Sequence, residues 1–197
     1  MTPKQVQRLE TKIADIKRNL AAEKRKYGGY DDSRGLRYLP TRYYIQLGDY
    51  AGGLRYTRWS AKAFADDVGF PDFLFEWTLI LYKNGKRAQA SQKAWQTFCS
   101  NPDLLDYFLS QQIGSFSPAQ RIGYAQPGIP PSLAFSGQQA ELSDFGLWLE
   151  EFISSEPFIR CRSRYLVIAE RLQTETDRDT RRSLLQEADH LVDQFPG

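Results

Sequence analysis

The chain has 197 residues, 41% apolar and 25% charged, with a net charge of +2, the make-up of an ordinary globular protein large enough for one substantial core. No run approaches the roughly 20 apolar residues of a membrane-spanning helix, and the opening MTPKQVQRLETK lacks the apolar centre of a signal peptide, so the expected setting is cytoplasmic, with no membrane contact. Cys99 and Cys161 have no CxxC spacing, which points to two buried free thiols in a reducing compartment.

Thr2-Pro3-Lys4-Gln5 predicts a helix start, with a Thr cap, Pro at the first helical position and Gln completing a capping box. Val6, Leu9, Ile13, Ile16 and Leu20 then recur at spacings of 3, 4, 3 and 4, an amphipathic seam of coiled-coil type over residues 1–27. So short a seam must lie on another surface, either a helix of its own chain or its copy in a homodimer.

Gly28-Gly29 ends that helix, and the loop to Pro40 carries Tyr27, Tyr30, Arg34, Arg37 and Tyr38. Those side chains suit a segment packed on the helices that follow. Pro40 opens a helix through Leu47 that stops at Gly48-Asp49. A second helix runs from Tyr50 to about Phe64 despite Gly52-Gly53, which cost roughly 1 kcal/mol each against Ala. Close helix–helix approach is the expected compensation. After a turn that offers Asp72 as a cap, Phe73–Tyr82 is apolar on nearly every side, the mark of a buried helix. Asn84-Gly85 ends it, Lys86–Phe98 forms a partner with a polar face, Asn101-Pro102 closes the pair, and Asp103–Gln112 adds a short amphipathic helix.

Residues 113–139 hold too many Pro and Gly for regular structure and read as a long crossover. Helices resume at Ser143-Asp144, again near Ser155-Glu156-Pro157, and finally after Thr176 or Asp177. The last is predicted to run to Phe195 with a seam of Leu184, Ala188, Leu191 and Phe195. Residues 1–62 carry 14 Lys/Arg against 6 Asp/Glu and residues 63–197 carry 12 against 18. This asymmetry favours packing of the first helix on the last, or self-association.

Gly48 and Gly85 stand 37 residues apart in equivalent helix–turn–helix settings, a spacing in the range of stacked helical repeats. Around the second, Leu74, Trp77, Thr78, Leu81, Ala90, Ala94, Thr97 and Pro102 fall where a tetratricopeptide repeat carries its packing residues. Around the first, Tyr44, Gly48, Gly53, Thr57 and Ser60 match, while Pro40 shortens the leading helix and Ala65 replaces the closing proline. Residues 37–102 thus resemble a degenerate tetratricopeptide repeat. The resemblance implies an all-α fold with a helical-hairpin core over 28–112, the crossover at 113–139, and bracing helices at 1–27 and 140–197. It implies, too, a non-enzymatic scaffold that binds a protein or peptide.

No P-loop, HExxH or GxSxG occurs, and His190 has no second ligand nearby, so the sequence indicates no catalytic residue, no metal site and no cofactor. Two features remain. Glu76, alone in an apolar helix, is expected in a buried ion pair with Arg34, Arg37, Arg42, Arg55 or Arg58; the competing reading is a general acid or base, for which only Asp31 and Asp32 offer a second carboxylate. Arg34, Arg37, Tyr38, Arg42, Tyr43, Arg55, Tyr56, Arg58 and Trp59 interleave cations and rings, which suits a partner-binding surface. The alternatives are single-stranded nucleic acid stacked on the same rings, or Arg stems covering core aromatics.

Overall fold

The computed structural model describes residues 1–30, 32–112, 116, 120, 123–126 and 130–195. Among these residues are nine α-helices, α1 Pro3–Tyr27, α2 Leu39–Leu47, α3 Tyr50–Ala63, α4 Pro71–Lys83, α5 Arg87–Ser100, α6 Asp103–Ser110, α7 Ser143–Ser154, α8 Glu156–Thr174 and α9 Arg178–Asp193, with short 3-10 turns at Leu36–Tyr38 and Ala140–Leu142. They fall into two compact units, Met1–Gly85 and Lys86–Gly197. The division lies at the Asn84-Gly85 turn, inside the 28–112 segment that the sequence reads as one core.

In the first unit each helix begins and ends on local chemistry. Thr2 and Gln5 form the capping box of α1, with Thr2 N–H donating to Gln5 Oε1 at 2.8 Å and Gln5 N–H to Thr2 Oγ1 at 3.3 Å. Lys24, Arg25 and Lys26 fill its last turn, where positive charge complements the helix dipole. The chain leaves α2 through Gly48 at φ +70, a left-handed conformation that glycine adopts without steric cost. Asp49 then caps α3 by accepting from Gly52 N–H at 2.8 Å. The expected Asp72 cap of α4 is not formed. Pro71, whose φ is already helical, starts the helix two residues earlier behind an extended Phe70, leaving Asp72 in the first turn, where its carboxylate meets Arg42.

The seam of α1 lies on α2 of its own chain, burying Ile13, Ile16 and Leu20. Ile13 packs with Tyr44 and Tyr56, and Tyr43, Leu47 and Trp59 close around them. Helices α2, α3 and α4 pack on one another. The glycine pair of α3 divides its work: a Cβ on Gly53 would stand 2.9 Å from Ile80 Cδ1 of α4, so this glycine permits close approach. A Cβ on Gly52 would collide with the Asp49 carboxylate that caps the helix.

In the second unit α5 packs on α6 and α9, and α8 on α7 and α9. Trp95 stacks on Phe98 at 5.5 Å, and Phe158 sets its edge against both. The expected end of α9 is shortened to Asp193 because α5 takes over its final carbonyls. Trp95 Nε1 donates to Leu191 O at 2.7 Å and Gln92 Nε2 to Val192 O at 2.7 Å, while Phe195 N–H donates to Gln92 Oε1 at 3.0 Å. Asp177, not Thr176, caps this helix through Thr180 N–H. Cys99 and Cys161 are free and buried, and His190 is exposed. Of the 113–139 crossover, residues 113–115, 117–119, 121–122 and 127–129 lie outside the described residues, as does Asp31. Its described parts hold to the second unit, Tyr124 N–H donating to Ser100 O and Gly137 N–H to Phe108 O, each at 2.8 Å. Among the described residues no helix is long and apolar enough to cross a membrane.

Candidate functional site

The nine Arg and aromatic residues singled out in the sequence all lie in the first unit, and the structure divides them. Arg37 and Tyr38 are held by carboxylates of the same unit. Arg37 Nε donates to Asp67 Oδ2 at 2.8 Å, Nη1 to Asp32 Oδ2 at 3.2 Å and Nη2 to the Tyr38 hydroxyl at 2.7 Å. The guanidinium also lies over the rings of Tyr38 and Phe64. The Tyr38 hydroxyl donates to Asp67 at 2.8 Å, and burial, reinforced by that carboxylate, pushes its pKa up to about 12. Burial opposes ionisation of Asp67, but donors from Arg37, Tyr38 and Gly69 outweigh it and hold its carboxyl below the usual range. The Tyr56 hydroxyl donates to Arg37 O at 2.7 Å, and burial raises its pKa.

Glu76 is 1% exposed, and of the five candidate arginines Arg42 is the one it meets. Arg42 Nε donates to Glu76 Oε1 at 2.8 Å, and Arg42 Nη2 to Asp72 Oδ2 at 2.9 Å. The second Glu76 oxygen lies 2.5 Å from Thr41 Oγ1, which is also 2.8 Å from Tyr38 O. A threonine hydroxyl has one proton, and the Tyr38 carbonyl can only accept. Thr41 therefore donates to one of them at a time, and the bond its hydroxyl gives the Glu76 carboxylate is shared with Tyr38 O. Burial nonetheless pushes the carboxyl up to about 7, and Arg42 and Thr41 only partly offset this. When Glu76 is protonated, Asp72 carries the charge opposite Arg42. The group sits within a packed network and lines neither of the recesses described next.

Three of the nine, Arg55, Tyr56 and Trp59, border a trough between α1 and the α2–α3 pair. One recess of about 450 Å³ is lined by Lys17 and Ala21 of α1, by Tyr30, Tyr44 and Gly52, and by Arg55, Tyr56 and Trp59 of α3. A second, of about 470 Å³, continues it past Val6, Glu10, Ile13, Ala14, Leu47 and Asp49, sharing Lys17 and Tyr44 with the first. Tyr30 meets Trp59 edge-on at 5.7 Å and Phe64 at 4.9 Å, and Tyr56 lies 5.3 Å from Trp59. These contacts fix the rings in place. Lys17 and Arg55 are exposed and have no ion-pair partner among the described residues.

Of the sequence-predicted surface, Arg55, Tyr56 and Trp59 therefore line the trough. Arg34 and Arg58 are exposed elsewhere in the unit, and Tyr43 packs against the core with Lys12 Nζ 5.3 Å from its ring centre. Sequence reasoning missed Lys17, Tyr30, Tyr44 and Gly52 as lining residues. A signal for the α1 wall was present: Glu10, Ala14, Lys17 and Ala21 recur at 4, 3 and 4 beside the apolar seam, a flanking stripe with small residues that leave room. No family model, curated protein or solved structure matches the chain.

Proposed function

We propose that this protein is a non-enzymatic binding scaffold that holds a protein or peptide segment in the trough between α1 and the α2–α3 pair. The observation that carries this reading is the convergence of fixed aromatic rings with Lys17 and Arg55, two cations left without a counter-ion among the described residues. Aromatic and cationic side chains that surround a recess are the usual anchors of protein recognition. The rigid rings also keep the entropy cost of binding low. The scaffold type we favour is tetratricopeptide-like. Helices α2 and α3 pack as a hairpin about Gly48 at φ +70, and Gly53, where a Cβ would stand 3.3 Å from Tyr44 Cβ, supplies the close contact such a hairpin needs.

A peptide display selection tests the proposal. Enrichment of peptides that bind the protein and are lost on the variant Lys17→Glu/Arg55→Glu is the expected result. No enrichment over that variant would sink the reading. Single-stranded nucleic acid is the competing ligand for an Arg/Tyr surface, but Arg37 and Arg42 are already committed to Asp32, Asp67, Asp72 and Glu76. A nucleic-acid binder would show affinity falling steeply with salt, its slope set by the phosphates contacted.

A further inference from the structure

We infer that the recess beside Tyr30 and Trp59 is a subsite for an aromatic side chain of an acidic peptide, with carboxylates next to that ring reaching Lys17 and Arg55. The inference rests on the scaffold reading above and names the chemistry of its partner.

Shape supports the ring. The recess is walled by Tyr30, Tyr44, Tyr56 and Trp59, and a fifth ring among them gains aromatic contacts that an aliphatic side chain cannot make. Gly52 lets the Tyr44 ring lie close against α3, since a Cβ there would stand 2.7 Å from Tyr44 Cε1. Its volume of about 450 Å³ accepts one large side chain with part of its backbone, and is in the range of ordinary ligand pockets.

Charge supports the acidic flank and gives it a direction. Lys17 and Arg55 border the ring-lined recess. On α1 itself, residues 1–27 carry 8 Lys/Arg against 3 Asp/Glu. The adjoining recess differs, since Glu10 and Asp49 line it. Acidic residues of the ligand therefore belong at the Tyr30 end, and neutral or basic ones toward Val6. The same two carboxylates weigh against nucleic acid, whose backbone would carry a phosphate past them with every nucleotide.

Fluorescence polarisation with three labelled probes tests this: a short peptide with one tryptophan between aspartates, the same peptide with leucine for tryptophan, and the same peptide with asparagine for aspartate. The tryptophan–aspartate peptide should bind tightest, with about tenfold loss for either change, the equivalent of one good contact. Two variants locate the site without disturbing the core: Lys17→Glu/Arg55→Glu, and Ala21→Trp, which fills the recess from an exposed position. Both should abolish binding with an unchanged circular dichroism spectrum. Equal binding of the tryptophan and leucine peptides would overturn the subsite while leaving the scaffold reading intact. Binding that survives Ala21→Trp would also place the ligand elsewhere. If none of the three peptides binds while a single-stranded oligonucleotide does, both the subsite and the scaffold reading fall. A rise in particle mass on light scattering that Ala21→Trp abolishes would show a second copy of the chain in the trough, and would likewise overturn the inference.

Discussion

Arg42 and Arg55 stand on neighbouring helices, each followed by a tyrosine, and they meet opposite fates. Arg42 lies half-buried between Asp72 and Glu76, and its Nε and Nη2 both donate to carboxylates of the fold. Arg55 is exposed above a ring-lined recess with no counter-ion among the described residues. Arg37 follows the first pattern and Lys17 the second. The difference teaches that an Arg–Tyr pair in a sequence says little about function until the acidic residues in reach are known. Where carboxylates fold against the cation it becomes structure; where none does, its charge is left for a ligand. The two regions are therefore expected to respond differently to mutation: the Arg42 network through stability, and the trough through binding with stability preserved.

The largest effect should come from Glu76→Ala. It removes a fully buried side chain, leaves Arg42 Nε–H without its acceptor, and opens a cavity, for a loss of about 3 kcal/mol in chemical denaturation. Arg55→Ala should change the same measurement by less than ~0.5 kcal/mol. Comparable losses from the two would erase the distinction drawn above.

Next comes pH. The Glu76 carboxyl titrates near 4.5 when unfolded and at about 7 when folded, because burial disfavours its charged form. The folded state thus holds a proton that the unfolded state releases, and stability conferred by that proton is complete below pH 4.5 and disappears as pH rises through 7. Its full size is on the order of 3 kcal/mol. Glu76→Gln keeps an acceptor for Arg42 and offers an amide N–H to Thr41, the hydrogen-bond pattern of the protonated acid. The variant should lose under ~1 kcal/mol near pH 5 and show a flatter melting temperature from pH 5 to 8. If Gln destabilises as severely as Ala at pH 5, Glu76 is ionised and the ion-pair account replaces this one.

These cases mark what could be read in advance. Helix limits were legible wherever a cap is made by residues a few positions apart, as with Thr2 and Gln5, Gly48, Asp49 and Asp177. Asp72 misled because its best partner, Arg42, is distant in sequence, while Pro71 beside it fixed the helix start. A buried partner for Glu76 was foreseeable from the cost of an isolated carboxylate, but which arginine it meets depends on how α2 packs on α4. The unit division at Gly85 was hidden because a glycine turn reads alike within a hairpin and between two units. Half the trough was invisible for a similar reason: Lys17, Tyr30 and Tyr44 come from three segments that only tertiary packing brings together.

A smaller effect falls on the glycine pair, where the two positions separate packing from capping. Gly53→Ala gains helix propensity of about 1 kcal/mol but forces Ile80 and Tyr44 to yield, at about 1–3 kcal/mol. Because the nearest atom is the mobile end of Ile80, the net loss should be about 1 kcal/mol. Gly52→Ala must displace the Asp49 carboxylate, so it adds the loss of a helix cap, about 0.5–2 kcal/mol. It should be the more destabilising of the two by thermal melting, and it should also narrow the recess and weaken the tryptophan–aspartate peptide. Gly53→Ala should leave that peptide's affinity unchanged.

The smallest effect concerns the exposed cations outside the trough. Arg34 and Arg58 are solvated and line neither recess. The sequence grouped them with Arg55, so they make the sharpest control for it. Replacing either by Ala should move stability by no more than ~0.5 kcal/mol. If the trough is the site, Arg58→Ala should also leave peptide affinity within twofold or so, since a charge that lines neither recess acts mainly through association rate. Arg55→Ala, one helical turn away, should reduce affinity far more and slow association only modestly, its main effect being faster release. Equal losses at Arg55 and Arg58 would mean that the ligand senses the net charge of α3 and not a defined recess. The contrast between a cation placed at the rings and one merely near them is the finest resolution at which the two kinds of arginine can be told apart.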